Sequence, residues 1–112
     1  MNTHVIGTKG EVKAKDYLLK LGYKILETNY SNKIGEIDII AQDGQTIVFV
    51  EVKARESLKY GYPREAVTIY KQNKIHKVAM GYIKFHRNFN SPIRFDCVEI
   101  LGDEITHLKN CF

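Results

Sequence analysis

The sequence predicts an α/β fold with a mixed central sheet in α-β-β-β-α-β order and one helix on each face. Three observations lead there. Apolar residues recur at helical spacing early in the chain and again between residues 75 and 83. Two β-branched runs, Glu36–Ile40 and Ile47–Lys53, flank Asp43-Gly44, a strong short-range hairpin signal. A further strand-like run follows the break at Asn90-Ser91-Pro92.

Taken in order, residues 4–21 place Ala14, Tyr17, Leu18 and Leu21 at i, i+3, i+4 and i+7, an amphipathic helix closed by Gly22. Residues 23–29 alternate loosely and predict a first strand, with Ser31, Asn32 and Lys33 as loop. A type I′ turn centred on Asp43-Gly44 then pairs Glu36 with Glu51, Asp38 with Phe49 and Ile40 with Ile47. After a loop containing Gly61 and Pro63, Thr68 caps a second helix whose stripe is Ile75, Val78, Ala79, Tyr82 and Ile83. Residues 93–101 form a fourth strand, and Ile105–Lys109 is a candidate short fifth. No repeat or linker interrupts residues 1–112, which are read as one domain.

Composition narrows the class. Seventeen Lys/Arg against thirteen Asp/Glu give a net charge of +4, and the pI is near 9.0. That basicity suits a nucleic-acid partner without requiring one. At 44% hydrophobic and 27% charged the chain is globular rather than disordered. Its longest strongly apolar stretch, Ile47–Val50, cannot span a bilayer, and Met-Asn-Thr-His begins no secretory signal. A cytoplasmic protein without membrane contact is expected, with Cys97 a buried thiol rather than part of a disulfide framework.

The chemistry concentrates in the hairpin. Alternation puts Glu36, Asp38 and Ile40 on the same side of the sheet as Ile47, Phe49, Glu51 and Lys53. The opposite face, Ile37, Ile39, Val48, Val50 and Val52, is wholly apolar and must be core. Asp38 and Glu51 become diagonal neighbours, roughly 7–8 Å apart at the backbone. Gathered carboxylates repel, and a hard divalent cation such as Mg²⁺ or Mn²⁺ would relieve them. The plainer alternative is a half-exposed strand with surface ion pairs. Burial suggested by Ile40, Ile47 and Phe49 on that face, together with Lys53, weighs against it.

An Asp at a strand end followed by Glu-Val-Lys on the next strand resembles the PD-(D/E)xK nuclease signature. Gly7-x-x-Gly10-Glu11, Tyr17-Leu18, Gly35-Glu36-Ile37-Asp38 and Val48-Phe49-Val50-Glu51-Val52-Lys53 resemble the uncharacterised UPF0102 (YraN) family. Lys71-Gln72 and Arg94-Phe95-Asp96 continue the resemblance over nearly the whole chain. It implies a restriction-endonuclease-like three-layer core similar to Holliday-junction resolvases. Two departures, Ile69-Tyr70 where the family often has Pro-Arg and Ser31-Asn32 in place of a basic residue, imply weaker phosphate contacts.

Under that resemblance Asp38 and Glu51 hold one or two Mg²⁺ ions, the Val52 carbonyl is a further ligand, and Lys53 orients water or stabilises charge on phosphate. Glu11 matches a helix glutamate that completes the metal site; the alternative is a Thr8-x-x-Glu11 capping box. Glu36 is a supporting carboxylate or a partner of Lys33 or Lys53. Lys71, Lys74 and Lys77, with Gln72, form a stripe that tracks a phosphate backbone or is simply a solvated helix face. Tyr60-Gly61-Tyr62 either stacks on bases or packs over the second helix. The expected activity is endonucleolytic, on branched or structured DNA more than RNA; the alternative is a non-catalytic nucleic-acid-binding module. Resolvase-like action would need a homodimer, since two matched cuts require two sites.

Overall fold

The computed structural model of the chain describes residues 3–55, 68–86 and 90–112. The Tyr60–Tyr62 segment and Pro63 lie outside the described residues. Helix α1 spans Thr3–Lys20. It ends as its glycine predicts: Gly22 takes φ 91°, its N–H donates to Leu19, and the Tyr23 N–H donates to Leu18, both at 3.0 Å. These two bonds satisfy carbonyls that the last turn leaves open. Ala14 and Leu18 are fully buried, but Leu21, expected on the same stripe, is 49% exposed. Leu21 lies past the last helical residue, where the 3.6-residue period no longer applies.

Strands β1 (Lys24–Ser31), β2 (Glu36–Asp43) and β3 (Thr46–Arg55) precede helix α2 (Ile69–His86), and β4 (Ile93–Leu101) and β5 (Glu104–Leu108) follow it. The sheet runs in the order β1-β2-β3-β4-β5, so the short fifth strand is real. Neighbours are antiparallel except β3 and β4, which are parallel. A parallel pair needs a crossover, and α2 occupies that connection. Ser31, expected in the loop, instead ends β1; the turn is made by Asn32, whose Oδ1 accepts the Ile34 N–H at 2.8 Å. Thr68 caps α2 as expected, its Oγ1 accepting the Lys71 N–H at 3.2 Å.

Apolar side chains fall into two sets. Ala14 and Leu18 of α1 pack with Ile39, Val48, Val50, Val98 and Ile100. The whole predicted stripe of α2 (Ile75, Val78, Ala79, Tyr82 and Ile83) packs with Ile40, Ile47 and Phe49 on the other side of the sheet. Ile37 is buried but belongs to the α2 set, not to the face of Ile39 as strict alternation requires. The β2–β3 ladder runs only from Asp43↔Thr46 to Ile39↔Val50, so below Ile39 nothing from β3 holds the pleat of β2. No helix among the described residues is long and apolar enough to cross a membrane.

The hairpin register also differs from expectation. Ile40 pairs with Phe49 and Gln42 with Ile47, a slip of two residues. The turn is Gly44-Gln45: only Gly44 has positive φ (61°), as a type II′ turn demands, and Asp43 pairs with Thr46. A two-residue slip preserves which face each side chain takes. It changes who meets whom: Asp38 and Glu51 now lie just beyond the last ladder pair, Ile39↔Val50, and the pairs Asp38–Phe49 and Glu36–Glu51 do not form.

Candidate functional site

The site forms where β2 and β3 part. Beyond the Ile39↔Val50 pair the Val52 N–H has lost its neighbour strand, and the Asp38 carboxylate takes its place, accepting that N–H at 2.8 Å through Oδ2. A strand fork thus aims one carboxylate across the gap at the next strand. Glu51 stands on β3 with 4% of its surface exposed. An isolated buried carboxylate would be costly, and two lysines answer it. Lys71 of α2 reaches Glu51 Oε1 at 2.6 Å, and Lys53 reaches the same oxygen at 3.3 Å.

The protonation pattern follows from this crowding. Burial, then the Glu51 charge, pushes the Asp38 pKa up to about 7, with Glu11 adding to the rise and the Val52 N–H opposing it. Lys53 is lowered, first by burial and then by the neighbouring Lys71, with Glu51 partly restoring it. Lys71 is raised: burial works against the charge, but its contact with Glu51 outweighs that. Of the two amines, Lys71 holds its proton more firmly.

Two hollows meet at Asp38. A cleft of about 390 Å³ on the α2 side is lined by Gly35, Glu36, Asp38, Glu51, Lys71 and Lys74, with Tyr70 at its edge. A smaller one, about 160 Å³, is lined by Glu11, Lys15, Asn29 and Asp38. Glu11 therefore approaches Asp38 from the α1 side. Close helix packing puts it there, because a Cβ on Gly10 would meet the Ala54 Cβ at 2.8 Å. The capping-box alternative for Glu11 fails, since α1 begins at Thr3 and Thr8 is well inside it.

Among the expected site residues, Asp38, Glu51, Lys53 and Lys71 come together, Glu36 and Lys74 line the same cleft, and Glu11 lies across Asp38 from them. Gln72 is half-buried on α2 and is not among the cleft-lining residues. Lys71, expected on a phosphate-tracking stripe, is instead the close partner of Glu51; Lys77 is exposed. Among the described residues no three His, Cys, Asp or Glu side chains stand together as a ready metal cage. The donors still suit a hard cation. Mg²⁺ takes one or two carboxylates and keeps several waters. Both lysines sit on Oε1 of Glu51 and Val52 bonds Oδ2 of Asp38, so these contacts among the described residues use one oxygen of each carboxylate.

Two features were not legible as site residues. Tyr70, 70% exposed, borders the cleft; the available signal was an aromatic lying off the apolar stripe of its helix. Arg94-Phe95-Asp96 marks a separate buried network. Asp96 is fully buried and accepts bonds from Arg94 Nε (2.9 Å), Arg94 Nη2 (3.0 Å) and the Asn110 N–H (3.0 Å), and it pairs with His107 Nε2 at 2.7 Å.

The family model described as "Uncharacterised protein family UPF0102" matches residues 10–100. The chain is 46% identical over 118 residues to a UPF0102 protein of Caldicellulosiruptor saccharolyticus, covering 100% of both chains. It is 50% identical over 110 residues to one from Fusobacterium nucleatum, covering 98% of this chain and 92% of the relative. A UPF0102 protein of Clostridioides difficile is 50% identical over 114 residues, with 100% of both covered. Matched through the strand fork, α2 and most of β4, the chain belongs to the UPF0102 family.

Proposed function

We propose that the protein is a metal-dependent endonuclease of the PD-(D/E)xK, restriction-endonuclease-like kind that hydrolyses phosphodiester bonds in branched or structured DNA. The observation that carries this reading is the fork at Asp38 and Glu51, two mutually repelling carboxylates backed by Lys53 and Lys71 at the base of an open cleft. Asp38 and Glu51, with the Val52 carbonyl, would hold Mg²⁺ or Mn²⁺, and Glu11 would support Asp38 from the α1 side. Such an ion, when bound, polarises phosphate and acidifies water. Lys53, its amine lowered by burial, orients the attacking water or stabilises charge on the phosphate. Lys71 holds Glu51 in place, and Lys74 meets the substrate backbone.

The test is cleavage of duplex, single-stranded, flapped and four-way DNA, and of structured RNA, with Mg²⁺ or Mn²⁺. Asp38→Ala and Lys53→Ala should each reduce the rate by at least about a hundredfold, the loss of roughly 3 kcal/mol of barrier lowering. Activity that survives both substitutions rejects this site. A non-catalytic nucleic-acid-binding module is the second reading, favoured by the two lysines that already neutralise Glu51. Binding without cleavage in every condition would select it. Paired cutting of a four-way junction further requires a homodimer. Light scattering that gives 12.9 kDa for the free protein, and a complex of one protein per branched DNA, would leave a single-cut nuclease.

A further inference from the structure

We propose that Tyr70 is a base-stacking residue at the mouth of the cleft, and that the preferred DNA carries an unpaired base next to the phosphate that meets the cation Asp38 and Glu51 would hold. Tyr70 stands in the first turn of α2, off the buried stripe, and is 70% exposed. An aromatic ring left in water beside a charged cleft has a large apolar face to cover. The ring is not loose: Lys74, one turn on, lies over it at 4.5 Å from the centroid. That contact occupies one face of the ring, and Tyr70 and Lys74 both line the cleft.

The charges say what kind of occupant fits. Lys74 touches the ring and lines the cleft, so an anionic group and a flat π surface are recognised within one helical turn. A nucleotide offers both. The cleft volume of about 390 Å³ falls in the range of pockets that take a compact ligand, roughly 300–1,000 Å³. A base inside a continuous duplex has both faces covered by its neighbours and cannot lie on Tyr70. A base in a flap, bulge or junction arm can, and aromatic stacking of that kind tolerates any sequence. The inference rests on the nuclease reading only in placing the phosphate at a cation held by Asp38 and Glu51.

The experiment places 2-aminopurine at an unpaired position in a bulged DNA duplex and mixes it with the full chain, with Ca²⁺ in place of Mg²⁺. Wild-type protein and Tyr70→Phe should quench the fluorescence through ring stacking, and Tyr70→Ala should not. The ratio of affinities, bulged over fully paired duplex, should fall about tenfold in Tyr70→Ala, within the effect of removing one stacked aromatic. Quenching and a ratio that both persist in Tyr70→Ala overturn the inference, as does the absence of DNA binding by the wild type. Quenching does not depend on cleavage. Protein that quenches through Tyr70 but never cuts keeps the stacking site and rejects the nuclease. Asp38-dependent cutting with an unchanged ratio in Tyr70→Ala does the reverse.

Discussion

Asp96, fully buried, and Asp38, half-buried, are aspartates of one five-stranded sheet, and they have opposite characters. Asp96 faces a full set of partners. Burial by itself would raise its pKa, but His107, Arg94 and the Asn110 N–H together hold it below the ordinary carboxylate range. Arg94 in turn bonds Tyr23 Oη at 2.8 Å and Asp43 at 3.2 Å, and His107 Nδ1 meets Tyr17 Oη at 3.2 Å. That network ties the end of α1, the hairpin turn, β4 and β5 together. Among the described residues Asp38 has one N–H donor and a carboxylate neighbour, and it stands raised to about 7. A charge whose needs are met internally holds a fold together; one whose needs are left open is ready for something outside the chain.

The largest expected effect breaks the satisfied side. Asp96→Ala leaves Arg94 and His107 facing a buried gap without their anion, and should cost about 3–5 kcal/mol in urea unfolding. If Asp96→Ala costs no more than Asp38→Ala, the contrast between the two aspartates is wrong. Next comes cation binding on the open side. Mg²⁺ at a hundred times its Kd should stabilise the protein by about 2–3 kcal/mol. Asp38→Asn should abolish most of that gain, and in EDTA at neutral pH it should unfold at a higher temperature than the wild type, because it carries no charge into the site.

The pH dependence should carry opposite signs for the two groups. Asp38 has a folded pKa above its unfolded value of 3.8, so the folded state holds the extra proton between about 4 and about 7. Stability from this group is therefore greatest in acid and falls as pH rises through that window, by up to about 1.4 kcal/mol per pH unit. Asp96 is lowered, so its contribution is present above 3.8 and is lost as pH falls below that value. Melting of Asp38→Asn from pH 4 to 8 should remove the first slope, and acid unfolding should remain. The smallest effect sharpens the network itself: Tyr23→Phe removes one bond to Arg94 and should cost about 1 kcal/mol in urea unfolding.

What the sequence by itself determined is what depends on near neighbours along the chain. Helix α2 and its five-residue stripe, the Thr68 cap, the Gly22 stop and the limits of β4 follow from rules that span two to five residues, and all are present. So is the meeting of Asp38, Glu51 and Lys53, because a hairpin signal brings its two arms together whatever the register. Tertiary structure decided the rest. The choice between Asp43-Gly44 and Gly44-Gln45 as the turn shifts the register by two without exposing the core, so the apolar pattern cannot distinguish them. Ile37 changed face past the point where β2 leaves β3 and where its other neighbour, β1, carries Asn29 at φ 52°, features that no alternation rule encodes. Lys71 became the partner of Glu51, and Asp96 gathered Arg94, His107 and Asn110, only once α2 and β5 were packed against the sheet. Those partners come from separate elements, and a charge finds its counterion by distance in space, which local sequence does not specify.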